Sequence, residues 1–143
     1  MKNKGFSLVE LIIVIAIMAI LAAAIAPALI RYIDKSRKAD DVAAAETINT
    51  AVNAALANED AYSEVANNMS GATILSATQG QAFNGTPTVF KGEINSSVGG
   101  ASPKMKYTKD SQTTWAVAIS SNGKPLVYKG TLELQPEINK NYK

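Results

Sequence analysis

Apolar residues are spread along this chain in two regimes. From Leu11 to Ala26 every position is apolar, and Pro27-Ala28-Leu29-Ile30 extends the run without a charge. As a helix, such a run of about 20 residues spans about 30 Å, the thickness of a bilayer's hydrocarbon core. Beyond Arg31 the pattern becomes periodic. Apolar side chains recur at Ile30, Ile33, Val42, Ala45, Ile48, Val52, Ala55 or Leu56, Tyr62 and Val65, with charges between them. That spacing predicts a helix over 31–66 with one stripe laid on a small domain. The Ala-rich stripe allows close approach of a sheet.

Residues 67–87 are rich in Asn, Ser, Gly, Thr and Gln and read as a loop with one short helical turn. Strand signals follow over 88–135, in Thr88-Val89-Phe90, in Lys104 to Thr108 and most clearly in Thr113 to Ile119. In the last of these Trp115, Val117 and Ile119 alternate onto one face. Ser121-Asn122-Gly123-Lys124 is a turn signal leading into Leu126 to Lys129, and Thr131 to Leu134 either continues that strand or forms another before Pro136. The expected fold class is α+β: a long N-terminal α-helix packed on a C-terminal antiparallel sheet of three or four strands.

Composition narrows the chemistry. Among 143 residues there is no cysteine and no histidine, so a disulfide, a thiolate metal site and an imidazole base are all excluded. A Ser or Thr nucleophile would lack its usual base. The net charge is only +2, too weak to predict nucleic-acid binding. Asp40-Asp41 has no further acid near it in sequence to complete a cation site. Neither a catalytic residue, nor a metal ligand, nor a cofactor is expected. The charged cluster from Arg31 to Asp41 reads as a solvated helix face at a membrane edge, or alternatively as a headgroup or subunit contact. Trp115 reads as core rather than as a ligand-stacking surface. Lys104, Lys106 and Lys109 read as edge protection.

The unusual residue is Glu10, an acid placed at the head of the apolar run. A lipid-facing carboxylate costs roughly 2.5–3.5 kcal/mol near a helix centre and less near an end. Three readings compete. In a plain transmembrane anchor, Glu10 sits at the interface, where the helix dipole favours an anion. In an ordinary secretory signal, Lys2 and Lys4 form the basic region, and Ala22-Ala23-Ala24 or Ala24-Ile25-Ala26 the cleavage site. The apolar stretch is long for that, and an acid before it is unusual. Lysines and arginines flank the span on both sides (Lys2 and Lys4; Arg31, Lys35, Arg37 and Lys38), so charge alone gives no orientation.

The third reading uses the whole N-terminal pattern. A short basic leader ends in Gly5, Phe6 follows, then Ser7-Leu8-Val9-Glu10, the apolar helix and Pro27. Over residues 2–27 this closely resembles the class III signal of type IV pilins and related type II secretion pseudopilins. The remainder looks most like a major pilin of a Gram-positive, clostridial type. The resemblance implies a leader over 1–5, a transmembrane or filament-core helix over 6–30, and a pilin domain over 31–143. It also implies that a prepilin peptidase cuts between Gly5 and Phe6 and N-methylates Phe6. The precursor would be single-pass in the cytoplasmic membrane and in contact with lipid. It would then be delivered by inner-membrane assembly machinery into an extracellular helical homopolymer for adhesion, motility or biofilm formation. The chain would be a peptidase substrate and not an enzyme.

Each motif residue has a physical reason. Gly5 lets a catalytic group approach the scissile carbonyl. The new amine of Phe6 would be cationic, with an ordinary pKa of about 8. It lies four residues from Glu10, on the same helix face. Glu10 can therefore meet the amine of its own chain or of a neighbour, and the resemblance implies the neighbour's during assembly. Pro27 removes a backbone N–H and should bend or loosen the helix. Ala19 stands where related pilins often have glycine, which favours the helix there by about 1 kcal/mol. The remaining rivals are a secretion or competence pseudopilin and, from another class, a secreted or membrane-anchored binding module.

Overall fold

A computed structural model of the chain describes residues 4–143. Of the leader expected over residues 1–5, positions 1–3, Lys2 among them, lie outside the described residues. The chain divides into two compact units, Met1–Ser36 and Arg37–Lys143. Helix α1 runs from Leu8 to Leu56 and contributes to both.

In the N-terminal unit α1 buries nothing. Its residues are exposed from Leu8 through Ile33, and the helix is long and apolar enough to cross a membrane. A helix that is apolar all round has no face to turn to water, so its proper surroundings are lipid or other helices.

In the C-terminal unit α1 is amphipathic, as its periodicity predicts. Asp41, Ala45, Ile48, Ala51, Val52 and Ala55 are its buried residues. The expected helix over 31–66 is interrupted, however. Asn58 adopts an extended backbone, and its side-chain oxygen accepts the amides of Asp60 (3.0 Å) and Ala61 (3.3 Å). Asn offers this local bond more readily than it extends a helix. A second helix, α2 (Glu59–Val65), begins there.

The sheet has five strands, more than the three or four expected. They are β1 (Thr73–Thr78), β2 (Asn84–Gly85), β3 (Thr114–Ile119), β4 (Pro125–Lys129) and β5 (Leu132–Gln135). Their order is β2-β1-β3-β4-β5, antiparallel throughout. The two additional strands come from 67–87, the segment read as a loop. β1 buries Leu75 and Ala77 by simple alternation and pairs with β3, placing Ala77 opposite Trp115. Its Thr and Ser positions face outward, which made the segment look polar.

Two expected strands are absent. Thr88-Val89-Phe90 opens a third helix, α3 (Thr88–Ser97). Lys104 to Thr108 forms no strand and bends at Lys106. Its amides are taken by side chains instead: Met105 by Gln79 Oε1 (2.8 Å), and Lys106 and Tyr107 by Asp41. A segment whose donors are satisfied in this way has no need of a ladder.

The core lies between the sheet and the helices α1, α2 and α3. Ile48 and Val52 of α1 belong to the same apolar cluster as Phe83, Phe90, Ile94, Trp115, Val117 and Leu134. Trp115 is fully buried, and its indole N–H donates to the Pro103 carbonyl at 2.7 Å. It is a core residue, as its apolar face predicts. The turn before β4 has Gly123 at φ +77°, as the Asn-Gly signal requires.

Candidate functional site

The N-terminal motif forms an exposed, locally ordered helix start. Gly5 and Phe6 precede the helix, and Phe6 is 90% exposed. A side chain built on Gly5 would meet nothing within 4 Å, so the Gly5–Phe6 bond is open to approach. Ser7 sits at the position before the first helical residue. Its hydroxyl oxygen accepts the Val9 amide at 3.3 Å, and Glu10 Oε2 accepts the Ser7 amide at 2.8 Å. This reciprocal Ser-x-x-Glu arrangement satisfies two of the amides a helix leaves unpaired at its start. The spacing is legible in Ser7-Leu8-Val9-Glu10, but the readings of Glu10 as an interfacial acid or as a partner of a Phe6 amine do not include this cap. Within its own chain, Glu10 already has a partner.

Glu10 and Phe6 therefore lie at the same helix start, both exposed. The Glu10 carboxylate is the acidic group of the first turn. Pro27 lies inside α1, which continues past it.

A second constellation, which sequence reasoning missed, lies in the core of the C-terminal unit. Asp41 of α1 and Lys129 of β4 are both completely buried and 2.7 Å apart. Lys129 also donates to the Tyr107 carbonyl and to the Tyr142 hydroxyl, and its Nζ lies 3.0 Å from Asp110 Oδ2. The Tyr142 hydroxyl in turn donates to Asp110. Lys38 lies over the rings of Tyr107 and Tyr142. Burial opposes the Asp110 carboxylate. The hydrogen bonds from Tyr142, Lys129 and the Gln112 amide outweigh it and hold that carboxyl below its ordinary range. Burial, then the hydrogen bond and charge of Asp110, push the Tyr142 phenol far above its own. The sequence reading of Asp41, as part of a solvated charged helix face and as half of an unsupported Asp-Asp cation pair, is corrected here, because Asp41 is fully buried against Lys129. Among the described residues no group of three or more acids is placed to hold a metal ion.

An exposed apolar N-terminal helix headed by Gly5-Phe6 and Glu10 is followed by a helix-on-sheet unit, the α+β arrangement expected from the sequence. Residues 1–26 match the family model of the prokaryotic N-terminal methylation motif. The chain is similar to the type IV major pilin protein PilA of Myxococcus xanthus (strain DK1622). The two are 36% identical over 66 residues, a stretch covering 46% of this chain and 30% of that relative. The match thus spans about a third of the relative's length. No solved structure matches.

Proposed function

We propose that this chain is the precursor of a structural pilin, a major subunit of a type IV pilus and not an enzyme. A prepilin peptidase cleaves between Gly5 and Phe6 and methylates the new terminus. The subunit waits in the cytoplasmic membrane and is then transferred by the assembly machinery into an extracellular homopolymer.

The observation that carries this reading is the uncovered apolar surface of α1 from Leu8 to Ile30, with Glu10 at its head. Lipid covers that surface before assembly, and the same surface on neighbouring subunits covers it afterwards. Burial is worth about 25 cal/mol per Å² of apolar area in either aqueous comparison. Transfer between two apolar surroundings gains little by itself, so something must select the register. Glu10 supplies it. In a dry bundle a carboxylate is costly unless paired, and the cationic Phe6 terminus of an adjacent copy is a matching charge. Oε2 is engaged by the Ser7 amide, which leaves Oε1 to receive the neighbour's amine. Pro27 gives the helix a point at which to bend or loosen as subunits pack.

The deciding experiment is terminal analysis of the protein recovered from cells. A mature chain beginning at N-methylated Phe6 supports pilin processing. A start near Ala28 indicates ordinary secretion, and an intact leader indicates a plain anchor; either result overturns the proposal. The Glu10→Ala variant should be processed normally yet give no filaments. Normal filament yield from it would exclude the register role.

A further inference from the structure

The buried cluster around Lys129 has no part in the function proposed above. One amine and two carboxylates meet in a largely buried cluster. Lys129 and Asp41 are 0% exposed, and the Asp110 side chain is 14% exposed. Tyr107 and Tyr142 flank the amine, with ring centroids 5.5 and 5.3 Å from Nζ. A buried ion pair is expensive to maintain, because desolvation of both ions offsets their attraction. A condensation that removes both charges relieves that cost.

We propose that Lys129 and Asp41 join spontaneously through an isopeptide bond, with Asp110 as the catalytic proton carrier. Proton transfer from Nζ to Asp41 first gives a neutral amine and a neutral carboxylic acid. The Nζ lone pair then attacks Cγ of Asp41, forming the C–N bond and moving the carbonyl electron pair onto Oδ1. The Lys106 amide already donates to Oδ1 at 2.6 Å and is placed to stabilise that developing oxyanion. Asp110 takes a proton from Nζ and returns it to the Oδ2 hydroxyl. The C–O bond breaks, and one water leaves. Asp110 is regenerated and no oxidant or cofactor is consumed. The amide carbonyl keeps its bond from Lys106, and the amide N–H has the Tyr107 carbonyl or the Tyr142 hydroxyl, both present acceptors of Nζ.

Position is what makes the step feasible. Fixed neighbours react as though present at about 10⁵–10⁸ M, and burial of Lys129 and Asp41 favours a neutral amide over two charges. The product would tie α1 to β4 across 88 residues of sequence in a chain with no cysteine. In an extracellular fibre such a bond carries tension that packing alone would not.

The test is mass spectrometry of the full-length protein purified in detergent, and it does not depend on how the N-terminus is processed. The wild-type chain should be lighter by one water than the linear polypeptide of the same sequence. Its tryptic digest should contain a branched peptide joining Asp41 to Lys129. Lys129→Met should restore the full mass, and Asp110→Asn should slow the condensation by about 10²–10⁴-fold. A folded wild-type chain of full mass, holding an ion pair only, overturns the proposal. So does an Asp110→Asn chain that condenses as fast as wild type. Because the branched peptide is sought in the wild-type protein, the result does not hang on a variant folding.

Discussion

The carboxylate of Glu64, on α2, accepts the backbone amide of Phe90 at the start of α3, at 3.1 Å. It also accepts the Val89 amide at 2.8 Å and the Thr88 hydroxyl at 3.0 Å. One side chain from a different helix therefore satisfies the donors that α3 leaves unpaired at its first turn. A negative charge there is also favoured by the helix dipole. This explains why Thr88-Val89-Phe90, strand-like by composition, is helical.

Chiefly the Phe90 amide, and then Thr88 and Val89, hold the Glu64 carboxyl below its ordinary value of 4.5. A depressed folded-state value stabilises the fold above the unfolded pKa. That contribution disappears as pH falls below about 4.5 and Glu64 protonates. Urea midpoints followed downward through that range should fall for the wild-type chain. In Glu64→Gln the neutral-pH midpoint should be lower and the acid slope flatter. Parallel slopes in the two proteins would refute the assignment.

At the alkaline end the sign reverses. Burial and Asp110 raise the Tyr142 phenol, so its stabilising contribution is complete below the unfolded value of about 10 and is lost as pH rises above it. The native chain should therefore show one tyrosine that resists ionisation until unfolding, visible as delayed phenolate absorbance. Tyr142→Phe should abolish that delay and flatten the alkaline loss of stability. The smaller rise at Tyr128, from burial and then Glu133, would remain.

Trp115, near the start of β3, is fully buried and anchors the Pro103 segment through its indole N–H. Trp115→Ala should cost about 3–5 kcal/mol by opening a cavity. Trp115→Phe should cost less, but it strands the Pro103 carbonyl without its donor. Denaturant midpoints should order wild type above Trp115→Phe above Trp115→Ala. A Trp115→Phe midpoint equal to that of wild type would mean that the hydrogen bond contributes nothing, and equal midpoints for the two variants would mean that the ring volume does not.

Gly85 pairs with Leu75 at the β2 edge of the sheet. A Cβ there would run into the Ile74 carbonyl oxygen and the Leu75 side chain. The obstacle is backbone and cannot swing aside. Gly85→Ala should therefore destabilise by about 1–3 kcal/mol, as overpacking does. Faster amide exchange should appear in β1 and β2 before β4 and β5.

Much of the architecture was legible in the residues alone, where a pattern is local. The unbroken apolar run from Leu11 to Ala26 and the period after Arg31 define α1. The alternation of Trp115, Val117 and Ile119, and the Asn122-Gly123 turn, define the β3–β4 hairpin. The exposed Gly5-Phe6 junction and Glu10 are adjacent in sequence, so no folding is needed to bring them together. What a string of letters leaves open is who satisfies whom across long separations. Glu64 turned a strand-like tripeptide into a helix 26 positions away. Asp41 removed Lys106 and Tyr107 from the sheet by taking their amides at separations of 65 and 66. Lys129 reads in sequence as the end of an ordinary strand, yet it is wholly buried because Asp41 arrives from α1 to meet its charge. Period and composition set what a segment prefers. Only tertiary packing, by deciding which buried donors, acceptors and charges meet, determines whether that preference is kept.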